Sequence, residues 1–507
     1  MYQWPRGWFC IMALLNNIYL RWITVGFLLG GGFLQPLLWP LGLVGIGYFL
    51  YLLLESESTI LSKLLGSGLA WTIKYLCSLL WFWSAYPIDW LAVELGGIQI
   101  LLIFFYWFTA SLWLGFGGVL VAAVSIVLGR YGSITKTYLY FLMPFLWVAG
   151  EVAGSLVFSI VTYGPGSNLT PAFSFGYVGY LLGNHNVLLL LSYFGGVYIL
   201  TMVTVALAVG LFLFKPLHTR PVLMLVLVTV LYSSGFYDFK ESDVDDIETY
   251  QVLTIDTAFP VDKLRARDIS VTEALNNAVA EALTSEPDYI VLPEDSRLFD
   301  QSGSVGTAKA RFQLQFDNPQ VMVIDSSRFD LPDRSGAVLQ TFIYDGDNPV
   351  GRVQKRYLVP QGEYMPTLYA NTLTLLGYGN IIERMKMSID FRVGKETNQS
   401  VLSEVTPGIL FCFESVNPLG VRQIMRERTD VPFIAHPISH AWFHEPYQLW
   451  QQLDVMLKIQ SVWNQQYIIS AGGNVSGSLY TPSGSIIKPR TISSGEEWSI
   501  REVNIPK

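Results

Sequence analysis

The chain has 507 residues, 51% hydrophobic and only 14% charged, with a formal net charge of −8. Its positive mean hydropathy places it between soluble and wholly integral proteins, and the acidic balance argues against nucleic acid as a partner. Charge is unevenly distributed: residues 1–237 are a succession of apolar stretches, and charged residues become ordinary only from Asp238 onward. Two domains follow from that asymmetry.

In chain order, the first 20 residues lack an Ala-x-Ala cleavage site, and Cys10 follows Trp8-Phe9 rather than small residues, so neither a removable leader nor a lipid anchor is expected there. Apolar runs of near-bilayer length then predict seven membrane spans, at 20–35, 38–54, 68–86, 98–128, 138–161, 187–214 and 220–237. The first two, joined by Gln35-Pro36, form a tight hairpin. The fourth is long enough to be tilted, or broken near Gly115-Phe-Gly-Gly118.

Arg6, Arg21, Lys63, Arg130, Lys136, Lys215 and Arg220 fall at the N-terminus or in even-numbered gaps, whereas the other gaps carry Asp89 and Glu94. The positive side is the cytoplasmic side. An odd number of spans then delivers the C-terminal half to the opposite face. Lys74 and Glu151 lie within spans, where ionisable groups mark polar pathways or bundle interiors.

After an acidic linker at 238–248, the chain alternates strands and helices over 249–492, an α/β domain. Val252–Asp256 is a first strand, and Thr272–Leu283 is an amphipathic helix leading to Asp288-Tyr-Ile-Val-Leu-Pro-Glu294. Thr307–Phe316 and Val321–Asp325 repeat the helix–strand order. Val338–Tyr344 and Val350–Lys355 form a hairpin about Asp345-Gly-Asp-Asn348. Residues 493–507 read as a polar tail.

Chemistry concentrates in three places. Glu294 ends an apolar run, where burial raises a carboxyl pKa and suits it to general base and then acid work. Lys355-Arg-Tyr-Leu-Val-Pro-Gln-Gly-Glu363-Tyr-Met-Pro366 is a Pro/Gly-punctuated loop with one lysine and a second glutamate. Gly408-Ile-Leu-Phe-Cys-Phe-Glu-Ser-Val-Asn-Pro418 reads as a strand, a sharp turn at the thiol and a helix opening near Asn417. A thiol there is expected to feel the positive end of a helix and to ionise readily. Its bland alternative is a small buried core residue.

Glu, Lys and Cys in that order and spacing resemble the nitrilase superfamily, and Lys355 to Pro366 resembles the apolipoprotein N-acyltransferase family. The resemblance implies a multi-span α-helical membrane domain followed by a four-layer α-β-β-α sandwich. Glu294, Lys355 and Cys412 would be catalytic, with the Phe413 N–H completing the oxyanion site and Glu363 and Glu414 in support. The activity implied is transfer of a fatty acyl chain from a phospholipid to the N-terminal amine of diacylglyceryl-cysteine in apolipoproteins, through a thioester. It implies no metal or cofactor, a monomer in the bacterial inner membrane, and a catalytic domain outside the cytoplasm.

Leu373, Leu375, Leu376 and Tyr378 would form an apolar lid dipping into the bilayer, with a core-packed helix as the alternative. His440-Ala-Trp442-Phe resembles the family's site-bordering Asn-Asp-Ala-Trp-Phe, with Ser439-His440 replacing Asn-Asp and Phe413 replacing a common Tyr. His436, His440 and His444 have helical metal-ligand spacing, but Pro437 and the β-like residues before it oppose a helix. The family usually finishes with one more span, whereas no apolar run follows Ser493. Two other readings remain: a membrane-tethered nitrilase or amidase acting on a C–N bond, and a degenerate non-catalytic homologue.

Overall fold

The computed structural model describes residues 17–89, 96–131, 135–165, 167–213, 248–266, 268–298, 305–316, 321–331, 333, 336–344, 351–444 and 446–507. Arg6, Cys10, Glu94, Lys215, Arg220, the seventh span at 220–237, the linker before Glu248 and the turn at 345–348 lie outside the described residues.

The apolar half is a helix bundle: α1 (Ile18–Leu34), α2 (Trp39–Leu50), α3 (Ile60–Ser78), α4 (Ile98–Tyr131), α5 (Lys136–Val161) and α6 (Gly196–Leu213). Three stretches, Pro36–Glu55, Ile98–Arg130 and Lys136–Val161, are helices long and apolar enough to cross a membrane. Two expectations need correction, and one open alternative is decided. The third helix begins eight residues earlier than expected because the Thr59 hydroxyl caps it, accepting from Ser62 N–H at 3.2 Å. The expected span at 187–214 is broken, and only Gly196 onward is continuous helix. Gly196 turns with φ +60 against the Trp463 ring, where a Cβ would sit 2.3 Å from a ring carbon. α4 runs unbroken through Gly115–Gly118, and those glycines instead let α3 and α5 approach. A Cβ on Gly117 would lie 2.2 Å from the Gly150 carbonyl oxygen.

Lys74 and Glu151 form an ion pair at 3.1 Å, fully buried in the bundle. Glu151 also accepts from Trp147 Nε1, Val178 N–H and Thr201 Oγ1, so one carboxylate ties α3, α5, α6 and the segment preceding α6. Removing one partner of such a pair leaves an uncompensated charge, at a cost of about 3–5 kcal/mol. Lys136 meets Glu55 at 3.0 Å, which places the start of α5 beside the end of the second hairpin arm.

The second half is built from β1 (Thr249–Thr257), α7 (Ile269–Leu283), β2 (Tyr289–Val291), α8 (Val305–Phe316), β3 (Met322–Asp330), β4 (Ala337–Tyr344) and β5 (Gly351–Gln354). It continues with α9 (Gly379–Ser388), β6 (Gly408–Ile409), α10 (Gly420–Glu427), β7 (Ile434–Ser439), α11 (Tyr447–Asn464) and β8 (Ile468–Gly473). β9 (Leu479–Tyr480), β10 (Ile486–Ile487), β11 (Arg490–Ser494) and β12 (Trp498–Pro506) complete it. β1, β2 and β3 run parallel, and β4 and β5 follow antiparallel. β6, β7 and β8 are parallel in a second leaf, carrying β9 and β10 on its edge. A single bridge, Thr257 to Gly473, joins the leaves.

Strand alternation sorts the side chains into three cores. Val252, Val291 and Ile324 face Ile409, Ala435 and Ile469 between the leaves. Leu253, Ile290 and Val323 point outward onto Leu275 and Val279 of α7 and Phe312 of α8. Ile434 and Ile468 pack on Val421 and Ile424 of α10 and Leu457 of α11. The layers are therefore α-β-β-α. The expected polar tail at 493–507 is not a tail: β12 pairs antiparallel with β1 from Thr249↔Pro506 to Thr257↔Trp498. Its Ile500 and Ile505 are buried on opposite faces of the strand, with charged residues between them, so no apolar alternation marks it.

The halves are bonded together. Tyr364 Oη donates to Thr162 O at 2.9 Å and Thr367 N–H to Tyr163 O at 3.0 Å. Gln448 Nε2 donates to the carbonyls of Phe33 and Cys77, each at 2.8 Å. These contacts involve the C-terminal ends of α1, α3 and α5, opposite the end marked by Lys136.

Candidate active site

Glu294 follows β2, after Leu292 donates its N–H to Ile324 O and Pro293 ends the ladder. Asp295 and Arg297 both have left-handed backbones, φ 57 and 65. Such conformations are uncommon outside glycine, and each costs of order 1 kcal/mol or more. The Ser296 hydroxyl bonds to Asp325 and clamps this turn to β3.

Lys355 leaves β5 with its N–H on Leu339 O, and its buried Nζ lies 3.0 Å from Glu294 Oε1 and 2.7 Å from Glu363 Oε1. Glu363 spends its other oxygen on Val359 N–H at 2.8 Å, which folds the loop back on itself. Glu414 accepts Arg356 and Tyr357 N–H on one oxygen and Phe411 N–H on the other. It therefore staples the lysine loop to the cysteine turn. All three expected carboxylates and the lysine converge.

Cys412 opens a five-residue 3-10 turn, Cys412–Val416, between β6 and α10. Its thiol faces the Ser439 carbonyl at 3.7 Å. The Phe413 N–H is in the first turn of this short helix, among the donors that have no carbonyl one turn back. The expectation of a readily ionised thiol is overturned. Burial pushes the Cys412 pKa well up, and the Glu294 charge adds to it. A five-residue turn with a weak dipole does not offset that. Burial likewise raises Glu294 to about 7, with Lys355 opposing and Glu363 adding to the rise. Burial disfavours the Lys355 cation, but Glu294 and Glu363 more than reverse this and hold it charged. At rest the site is a neutral thiol beside a carboxyl poised near neutrality and a fixed cation.

Glu294, Glu363 and Cys412 line a cavity of about 350 Å³, and Lys355 is bonded to the two glutamates. Ser439, His440, Trp442 and Phe413 line it as expected. Trp442 also packs on Gly362, where a Cβ would lie 2.5 Å from its ring. His440 accepts from Trp450 Nε1 at 2.5 Å, and burial lowers its pKa to about 3. His436 sits in β7 with Nδ1 2.9 Å from Ser470 Oγ, and burial lowers it to about 4. His444 bonds to Pro87 O. The three histidines thus point to separate partners, and the segment is a strand and turn rather than a helix.

The lid expectation is corrected in part. Leu373 is 3% exposed and packs with Tyr369, Ile382 and Met385. Leu375 and Leu376 are 89% and 63% exposed. The Gly377 kink, φ 92, sits between Leu376 and Tyr378, and Tyr378 packs back on the core. None of the four lines the cavity.

Several residues were not foreseen. Trp81 and Phe175, from the apolar half, and Leu449 and Leu453 of α11 form an apolar wall, while Arg297 and Arg328 line the cavity elsewhere. Phe173 packs on Phe413, and the Ser174 hydroxyl donates to Val416 O at 2.6 Å. The aromatic run Phe173-Ser-Phe-Gly-Tyr177 between two apolar stretches was the available signal.

Two solved structures are similar to about half of the chain. A CN-hydrolase superfamily protein from Xanthomonas campestris, with an arsenic adduct in its active site, matches at 11% identity and a TM-score of 0.31, over 51% of this chain and 91% of its own. A glutamine-dependent NAD(+) synthetase from Cytophaga hutchinsonii matches at 10% identity and 0.33, over 51% of this chain and 43% of its own. No family model and no curated protein sequence matches the chain.

Proposed function

We propose that the chain is a membrane acyltransferase of the nitrilase superfamily. It transfers a fatty acyl chain from a phospholipid to the N-terminal amine of a diacylglyceryl-cysteine lipoprotein, on the extracytoplasmic side of a bacterial inner membrane. One observation carries this reading. Glu294 and Cys412, with Lys355 bonded to Glu294, share a cavity with an apolar wall, part of which, Trp81 and Phe175, comes from the helix bundle. A soluble amide has no need of such a wall, whereas an acyl chain leaving a bilayer does.

In the first half-reaction Cys412 sulfur attacks the ester carbonyl as its proton passes to Glu294. The tetrahedral oxyanion is stabilised by Lys355 Nζ and the Phe413 N–H. Collapse breaks the ester C–O bond, and the leaving lysophospholipid oxygen takes the proton from Glu294. In the second half-reaction the lipoprotein amine attacks the thioester and passes a proton to Glu294. The C–S bond breaks, and the departing thiolate recovers that proton. Glu363 keeps Lys355 charged and placed throughout.

The test is mass spectrometry of the purified protein incubated with phospholipid and no acceptor. One fatty-acyl mass on Cys412, released by neutral hydroxylamine and absent from Cys412→Ala, is expected. A peptide with a free N-terminal diacylglyceryl-cysteine should discharge the adduct, and an N-acetylated peptide should not. Discharge by water alone would point to a hydrolase, and no adduct with any lipid would refute acyl transfer.

A further inference from the structure

Arg328 stands apart from the other cations around the cavity. Lys355 is held between two glutamates, and Arg297 is bonded to Asp295 and to Leu264 O. Arg328 lines the same cavity from β3 and lies with its guanidinium carbon 4.3 Å from the Phe391 ring centroid. It forms no hydrogen bond or ion pair with any described residue, and its Nε is buried without a partner. The Ser296 to Asp325 bond brings the Arg297 turn against the same strand.

A guanidinium steadied on an aromatic face, with its donors unfilled, is a planar fork suited to an oxyanion. Leaving it partly desolvated and unsatisfied costs free energy that an anionic ligand would recover. The acidic groups lining this cavity are Glu294, Asp295 and Glu363. Two of them hold Lys355 and the third holds Arg297, so among the described residues that line the cavity Arg328 is the cation left for a ligand.

We propose that Arg328 is a phosphate-binding residue at the polar end of the cavity, and that it reads the phosphodiester of a glycerophospholipid. This rests on the acyl-transfer reading above. The lipid's esters lie next to its phosphate, so an anchored phosphate would bring an ester carbonyl toward Cys412. The site would favour a phospholipid over a neutral diacylglycerol carrying the same chains.

The experiment separates binding from chemistry. Full-length Cys412→Ala protein in detergent is titrated with short-chain phosphatidylglycerol and with the matching diacylglycerol. Glycerophosphocholine and inorganic phosphate serve as competitors. The phospholipid should bind at least about tenfold tighter. Arg328→Gln should abolish that preference while diacylglycerol binding stays unchanged, and Arg328→Lys should restore part of it. Glycerophosphocholine should compete better than inorganic phosphate. A preference that survives Arg328→Gln, or no preference at all, would overturn the proposal. So would stronger competition by inorganic phosphate, which would mark a free-phosphate site. A preference that depends on Arg328 in a protein whose intact Cys412 never forms a thioester would sink acyl transfer and leave the phosphate site standing.

Discussion

Replacing Glu294 with glutamine should abolish acyl transfer and yet make the catalytic domain more stable above neutral pH. Glu294 holds its proton in the folded protein up to about pH 7, whereas its ordinary value is 4.5. Between those values the folded state binds more protons than the unfolded state, so stability falls as pH rises. A rise from 4.5 to about 7 corresponds to about 3 kcal/mol, a cost fully developed above pH 7 and absent below about 4.5. Glutamine is neutral at every pH and can still accept from Lys355, which keeps Glu363 at 2.7 Å. The variant should therefore match the parent protein near pH 5 and exceed it near pH 8, by roughly 5–10 °C in Tm for a domain of this size. Thermal unfolding followed by tryptophan fluorescence in one detergent across that range measures it. Cys412 and Lys355 feel the Glu294 charge, but the thiol stays neutral and the lysine charged from pH 5 to pH 8, so the difference reports Glu294. A Tm difference that stays constant from pH 5 to pH 8 would refute the account.

Three further outcomes are expected. Leu373→Ala should destabilise the fold by about 2–5 kcal/mol by leaving a cavity. Leu375→Ser with Leu376→Ser should leave Tm nearly unchanged but slow acyl transfer from vesicles more than from detergent-dispersed lipid, and equal slowing in both would remove the membrane-dipping role. A periplasmic-type reporter fused after Lys507 should be active only outside the cytoplasm, and cytoplasmic activity would reverse the orientation drawn from Lys and Arg placement.

The convergence of the candidate site groups was readable from sequence because each sits at the end of an apolar strand or in a punctuated loop. Local pattern reports such junctions well. Glu294, Lys355, Glu363 and Cys412 meet as expected, and Glu414 joins them through three backbone amides. The ionisation state of Cys412 was not readable. It depends on burial by the apolar half and on the charge of Glu294, both set by tertiary contact. Trp81 escaped for the same reason, since an aromatic in an apolar run carries no mark of the cavity it will line, whereas Phe175 belongs to the aromatic run that could have been noticed. Leu373 and Leu375 are two residues apart with identical side chains, and the helical turn places them on opposite faces, one packed inward and the other exposed. β12 escaped because its buried residues, Ile500 and Ile505, lie on opposite faces with charged residues between them, which leaves no alternation to read.

The pairing of β1 with β12 also bears on how the protein is made. The partners are roughly 250 residues apart in the chain, from Thr249↔Pro506 to Thr257↔Trp498. At about 5–20 residues per second of synthesis, the β12 side of β1 stays open for roughly 12–50 s after β1 emerges. An unpaired strand edge is a template for pairing with another chain. This domain therefore passes through a long interval in which its central strand is half-clothed, and a chaperone that shields that edge during export would raise its yield more than one acting on the finished protein.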